Sequence, residues 1–194
     1  MFLEKRQLGD LVLFTPGLNQ TRAEKQFDRK SIEYYDQSSF EKDFNHEDIL
    51  DIENDFSTIN SELVLKEHDI VISASLQLAA KVRKNNVGKV LPINFIKVDF
   101  TSEQLDKDYF IYLFNSNKEI QRLKEREMQG TGLVQRISLK SLEQLVVPVL
   151  PIEDQKKIGA IHTSMVSLQS NLVKYGDLLD QFTKSILNEV VKGD

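Results

Sequence analysis

Residues 158–190 read IGAIHTSMVSLQSNLVKYGDLLDQFTKSILNEV, and this stretch decides the architecture. Its large apolar side chains, Ile158, Ile161, Met165, Leu168, Leu172, Tyr175, Leu179, Phe182 and Ile186, recur at intervals of three and four without a slip. That is a heptad repeat with Ile158 at a and Ile161 at d, and strict 3.5 periodicity demands a helix whose apolar seam meets another helix. From Ile152 to Val191 such a helix would run roughly 60 Å at 1.5 Å per residue, longer than a small domain is wide. The flanking e positions are His162, Gln169, Gly176 and Thr183, and the g positions are Ser164, Asn171, Leu178 and Ser185. The Glu/Lys pairs that specify parallel dimers are missing, so the expected arrangement is an antiparallel homodimer. Ordering so long a helix in water is not sustained by its own backbone, so the seam calls for a partner.

Working back from the helix, Pro148 and Pro151 separate it from a domain of residues 1–150, leaving 151–194 as the spacer and dimerisation segment. The chain of 194 residues, 40% hydrophobic, is long enough for one real core plus the helix. It contains no cysteine, which excludes a disulfide framework and thiolate metal sites and suits a reducing cytoplasm, the expected compartment. The longest apolar run, Leu145 to Ile152, is far short of a membrane span. Short apolar segments, Leu11–Phe14, Ile70–Ser73, Arg136–Ser138 and Leu145–Val147, read as strands. Helices are expected from Thr101, from about Lys118 to Met128, and from Lys140 to Gln144. The fold class is therefore α+β: a mixed or antiparallel sheet with packed helices, followed by one long coiled-coil helix.

Charge is unevenly spread. The formal net charge is −5, which by itself disfavours nucleic acid. Between Glu33 and Glu62 the acids crowd around a single base, Lys42, a stretch that reads as a solvated face turned away from DNA. From Ile70 to Val98 no acid occurs, against Lys81, Arg83, Lys84, Lys89 and Lys97. Asn85, Asn86 and Gly88 lie within that run and suggest a hairpin turn between Val82 and Val90, the best local DNA signal in the chain. The expected DNA contacts are this group, Lys81, Arg83, Lys84, Asn85, Asn86 and Lys89, together with Gln20 and Arg22 of a polar loop and Arg136. No phosphate-binding glycine motif occurs, His46, His68 and His162 are scattered, and the four prolines are never adjacent, so no Asn-Pro-Pro-Tyr methyltransferase motif exists. Neither catalysis, a cofactor nor a metal is expected.

The order of parts resembles the specificity subunit of type I restriction–modification systems. The resemblance rests on Leu8-Gly9-Asp10 with Phe14 and Gly17, on Asp69–Ser73, on Asp108-Tyr109-Phe110 through Asn115-Ser116, on Gly130-Thr131-Gly132 and on Arg136-Ile137-Ser138. Its most specific element is Val147-Pro148-Val149-Leu150-Pro151-Ile152-Glu153-Asp154-Gln155-Lys156-Lys157-Ile158, similar to that family's Pro-x-Leu-Pro-x-x-x-Gln junction into a long helix; Ile152-Glu153-Asp154 departs from the common Glu-Gln form. The resemblance implies a target recognition domain and one spacer helix, where family subunits carry two of each. It further implies a non-catalytic subunit that brings a DNA methyltransferase subunit, and in some assemblies a restriction subunit, to a bipartite site on double-stranded DNA. A different outcome, a dimeric coiled-coil interaction module that binds no DNA, is what the acidic composition alone would favour.

Overall fold

The computed structural model describes residues 4–26, 32–47, 63–127 and 137–192. Two antiparallel sheets organise the domain. The larger runs in the order β2 (Val12–Pro16), β5 (Phe95–Phe100), β3 (Ile70–Ser73), β4 (Leu78–Lys81). The smaller joins β1 (Glu4–Gln7) to β6 (Val146–Val149). Strand β3 is buried on both sides, and its alternating side chains feed two different cores. Ile70 and Ile72 join Val12, Phe14, Ile96, Val98 and the aromatic face of α3 (Lys107–Ser116). Val71 points the other way, into Tyr35, Phe40, Leu65, Leu91 and Phe95. The sheet is thus the middle of three layers, with α2 (Gln37–Phe44) supplying Phe40 to the second core.

Helix starts follow their caps. The Asp106 carboxylate accepts from the amides of Asp108 and Tyr109, both at 3.0 Å, so α3 begins at Lys107 and not at Thr101 as the sequence suggested. Its buried face is Tyr109, Phe110, Leu113 and Phe114. Asn117 ends α3, and its Oδ1 accepts from the Glu119 amide at the head of α4 (Lys118–Glu127). Ser138 caps α5 (Leu139–Gln144) through the Ser141 amide at 3.0 Å. Ile137 and Ser138 therefore lead into a helix instead of forming the expected strand, while Arg136 and Gly130-Thr131-Gly132 lie outside the described residues.

Three further expectations change. Residues Gln20–Gln26 form a helix, α1, in place of a polar loop, because Asn19 Oδ1 accepts from the Arg22 amide. Strand β6 runs through Pro148 to Val149, with Lys5 opposite Pro148 in a two-stranded ribbon that tolerates a missing donor. The segment from Val82 to Val90 is no hairpin: β4 pairs only with β3, and Lys84–Asn86 forms a 3-10 turn. Gly88 then takes φ 85° and donates to the Leu65 carbonyl, steering Val90 to bridges with Tyr34 and Val64.

The last element, α6 (Ile152–Lys192), is a single helix of 41 residues, close to the expected length. Its first four turns lie along α3; from Asn171 to Lys192 every residue is exposed.

Candidate DNA-reading face and the unpaired helix

The basic run lies at the end of β4 and in the 3-10 turn that follows. Lys84 is exposed and Asn85 half-buried. Lys81 forms an ion pair with Asp108 of α3. Lys89 Nζ donates to Ser39 Oγ at 2.8 Å. Asn86, expected to face DNA, is buried, and its Nδ2 donates to the Ser39 carbonyl at 3.1 Å. It is built into the domain. The half-buried Arg83 donates its amide to Asp43 Oδ1 at 3.0 Å. Arg22 is exposed on α1, whose Ala23 packs on Val64 and Val90, one residue from Lys89. Gln20 opens that helix with its side chain outside the described set.

The turn is held from below by a group that sequence reading assigned to a solvated acidic face. Asp36 caps α2 through the Ser39 amide, and Asp43 is buried, accepting from the Tyr35 hydroxyl at 2.8 Å. Burial pushes the Asp43 carboxyl up to about 6, although hydrogen bonds from Tyr35, Asn86 and the Arg83 amide pull the other way. Burial, with the Asp43 charge, raises the Tyr35 phenol well above its ordinary value. An acidic pattern alone cannot separate such anchors from solvated carboxylates.

Helix α6 has two faces. Gln155, Gly159 and His162 are buried against the domain. Gln155 Oε1 accepts from the Asp106 amide at 2.9 Å, and its Nε2 donates to the carbonyls of Gln104 at 2.8 Å and Leu150 at 2.7 Å. His162 Nε2 lies 2.9 Å from Ser116 Oγ, and its Nδ1 has no hydrogen-bond partner among the described residues. A second contact runs from the end of α2: His46 Nδ1 is 2.7 Å from Ser167 Oγ. Burial lowers both histidine pKa values; for His46 the charges of Arg83 and Lys81 lower it further, and Asp108 opposes the shift at both. A cleft of about 260 Å³ between β4 and α6 is lined by these groups.

The other face is the heptad seam. Ile158 is half-buried at the margin of the first core, but Ile161, Met165, Leu168, Leu172, Tyr175, Leu179, Phe182 and Ile186 are all exposed, Ile161 at 70% and Leu172 at 61%. Of the residues at this joint, Leu150 and Gln155 carried a sequence signal within the junction motif and Ser116 within Asn115-Ser116. His46 and His162 are isolated in sequence and meet only through the packing of α2, α3 and α6.

The fold of this chain, an antiparallel domain mounted on one end of a long helix, is shared with solved S subunits of type I restriction–modification systems, of each of which it matches less than half. An S subunit structure from M. genitalium matches at TM-score 0.58 and 14% identity, over 93% of this chain and 43% of that one. The HsdS subunit from Thermoanaerobacter tengcongensis matches at TM-score 0.54 and 14% identity, over 98% and 45%. Among curated proteins, the type I restriction enzyme MjaVIII specificity subunit of Methanocaldococcus jannaschii is 24% identical over 131 residues, 68% of this chain and 30% of that protein. The chain therefore spans less than half the length of each of these relatives. No family model matches.

Proposed function

We propose that this chain is a non-catalytic DNA-recognition unit of a type I restriction–modification assembly, with residues 1–150 reading one half-site and residues 151–194 pairing with a second copy. The carrying observation is the fraction matched: nearly the whole chain superposes on less than half of each S subunit structure. The exposed seam supports the same reading, since eight large side chains stand where a second helix would cover them. Each contributes about 1.5–3 kcal/mol on full burial, so a paired helix is far better sustained than a lone one. Lys84, Arg22 and Asn85 are the groups of the basic edge best placed to meet phosphate or base edges. Lys81, Arg83 and Lys89 would have to exchange interactions they already make within the domain. The partners proposed are double-stranded DNA, a DNA methyltransferase subunit and, in restricting assemblies, a restriction subunit. Among the described residues no helix is long and apolar enough to cross a membrane.

A titration of the purified chain against mixed-sequence duplex at low salt tests the DNA half of this reading. Binding should weaken steeply with salt, and Lys84→Glu should flatten that dependence by about one unit of slope. Absence of binding at low salt would leave a coiled-coil interaction module in its place. Leu172→Asp, at the middle of the seam, tests the pairing: the parent should scatter light as a dimer and the variant as a monomer.

A further inference from the structure

We propose that Leu76 and Ile93, at the end of the four-stranded sheet where β3 turns into β4, take the 5-methyl groups of thymines in the major groove. This rests on the reading above, in which the domain binds duplex DNA. Outside α6, the exposed large apolar side chains among the described residues are Leu13, Leu76, Ile93 and Val146. Single ones scattered on a surface need no explanation, but Leu76 at 45% and Ile93 at 63% stand on adjoining loops. The Ala74 amide joins those loops by donating to the Asn94 carbonyl at 3.0 Å. The chain leaving β2 reaches the same end. Gly17 donates to the Phe95 carbonyl at 3.0 Å and Leu18 to that of Leu91 at 2.9 Å. A Cβ on Gly17 would stand 2.1 Å from the Pro92 oxygen, so the two backbones touch there.

The turn that carries Leu76 is braced from several sides. Ser73 Oγ accepts from the Leu76 amide at 3.3 Å. Gln77 sits at φ 55°, a conformation uncommon for any residue but glycine, and its Nε2 donates to the Ala74 carbonyl. The buried Lys124 ammonium of α4 donates to the Gln77 carbonyl at 2.8 Å. A leucine held this firmly in water is presented to a partner. Charge selects DNA as that partner. Of 194 residues 30 are acidic, yet none falls between Leu11 and Ala23 or between Ile70 and Val98, the two runs that build this end. No carboxylate from these loops would repel a phosphate backbone. Asn94 and Asn19, exposed beside the apolar pair, add amides of the kind that reads adenine, as the pair suits the thymine methyl. From Leu78 to Lys81, β4 rises about 10 Å, within the ~12 Å width of a major groove. The tip can therefore enter the groove while the basic run beyond β4 meets a flanking phosphate.

The test uses the full chain and a randomised duplex pool selected at low salt. The sequences recovered should hold thymine at one or two positions of the half-site. Uracil at those positions keeps the base pair and lacks the methyl, so it should weaken binding about fourfold for each methyl lost. Leu76→Ala and Ile93→Ala should each weaken binding to the thymine duplex and bind the uracil duplex no worse. Both side chains are exposed, so the variants should unfold at the parent's midpoint, and the uracil arm leaves the protein untouched. A parent that selects and binds duplex but is indifferent to the methyl overturns the inference alone. So do variants that still tell thymine from uracil as the parent does. Variants that bind DNA like the parent but no longer co-purify with the methyltransferase subunit would make the pair a protein-docking surface and also overturn it. A parent that binds no duplex sinks the functional reading and this inference together.

Discussion

Asp43 carries a carboxylate into the interior at the base of the basic turn, and its titration has a sign that can be read out. Its pKa in the fold, about 6, lies above the ordinary 3.8. A raised carboxyl pKa means that the fold prefers the protonated form, so this group's contribution is fully present below the ordinary value and is lost as pH rises through about 6. The expected outcome is that the stability difference between the parent and Asp43→Asn moves in the variant's favour as pH rises from about 4 to 7. Denaturant unfolding at several pH values checks it, and a difference that stays flat would place the carboxylate in water. Asp43→Ala is the harsher change. It strands the Tyr35 hydroxyl and the Arg83 amide, and an unpaired buried polar group costs about 1–3 kcal/mol.

Two glycines in one helix have opposite roles, and the element shows it. Gly176 has nothing within 4 Å of where a Cβ would stand, so Gly176→Ala should raise helix stability by about 0.5–1 kcal/mol. Gly159→Ala, pressed against Asp108 and Tyr109, should lower it by about 1–3 kcal/mol. Thermal unfolding of the two variants tests the contrast; a loss at Gly176 would show that a neighbouring helix passes close on that side. The joint also titrates. His46 and His162 have pKa values lowered from 6.5 in the docked state, so docking is fully supported above that value and weakens as pH falls through the lowered one. Arg83 and Lys81 stand on the unfavourable side and Asp108 on the favourable side. Acidification from about pH 7 to pH 5 should therefore destabilise the parent more than a variant with both histidines changed to Gln.

For the whole molecule the consequence of the proposed pairing is symmetry. A pair of identical chains related by a two-fold axis presents two identical heads, so the expected target is two inverted copies of one half-site around an unread gap. Deleting seven residues from the middle of α6 keeps the seam in phase and removes about 10 Å, or roughly three base pairs of gap. Deleting four residues should break the dimer instead, because the a and d positions leave the interface. Methylated-site sequencing reads the first outcome and light scattering the second; unlike half-sites would mean a different second recognition domain, and a gap unchanged by the seven-residue deletion would show that this helix does not measure it.

Periodicity is a property of neighbours along a chain, and what depends on neighbours was legible in advance. The 3-4 spacing from Ile158 to Ile186 predicts the long helix and its apolar seam, Pro151 predicts its start, and the short continuous apolar runs at Ile70 and Val12 predict strands. The junction ending at Gln155 and the order of short motifs suffice for the family resemblance. What needed tertiary structure was every role set by a partner distant in sequence. Asn86 reads as a DNA-facing amide until Ser39 binds it, and Asp43 as a solvated acid until Tyr35 and Arg83 close over it. The 82–90 segment looks like a hairpin because its turn chemistry is local, but Gly88 hands the chain to Leu65 across the fold. The face by which α6 docks was hidden for the same reason. Gln, Gly and His carry no hydrophobic signature, and their burial is decided by the carbonyls, the backbone and the serine that α3 and its flanking segments bring to meet them.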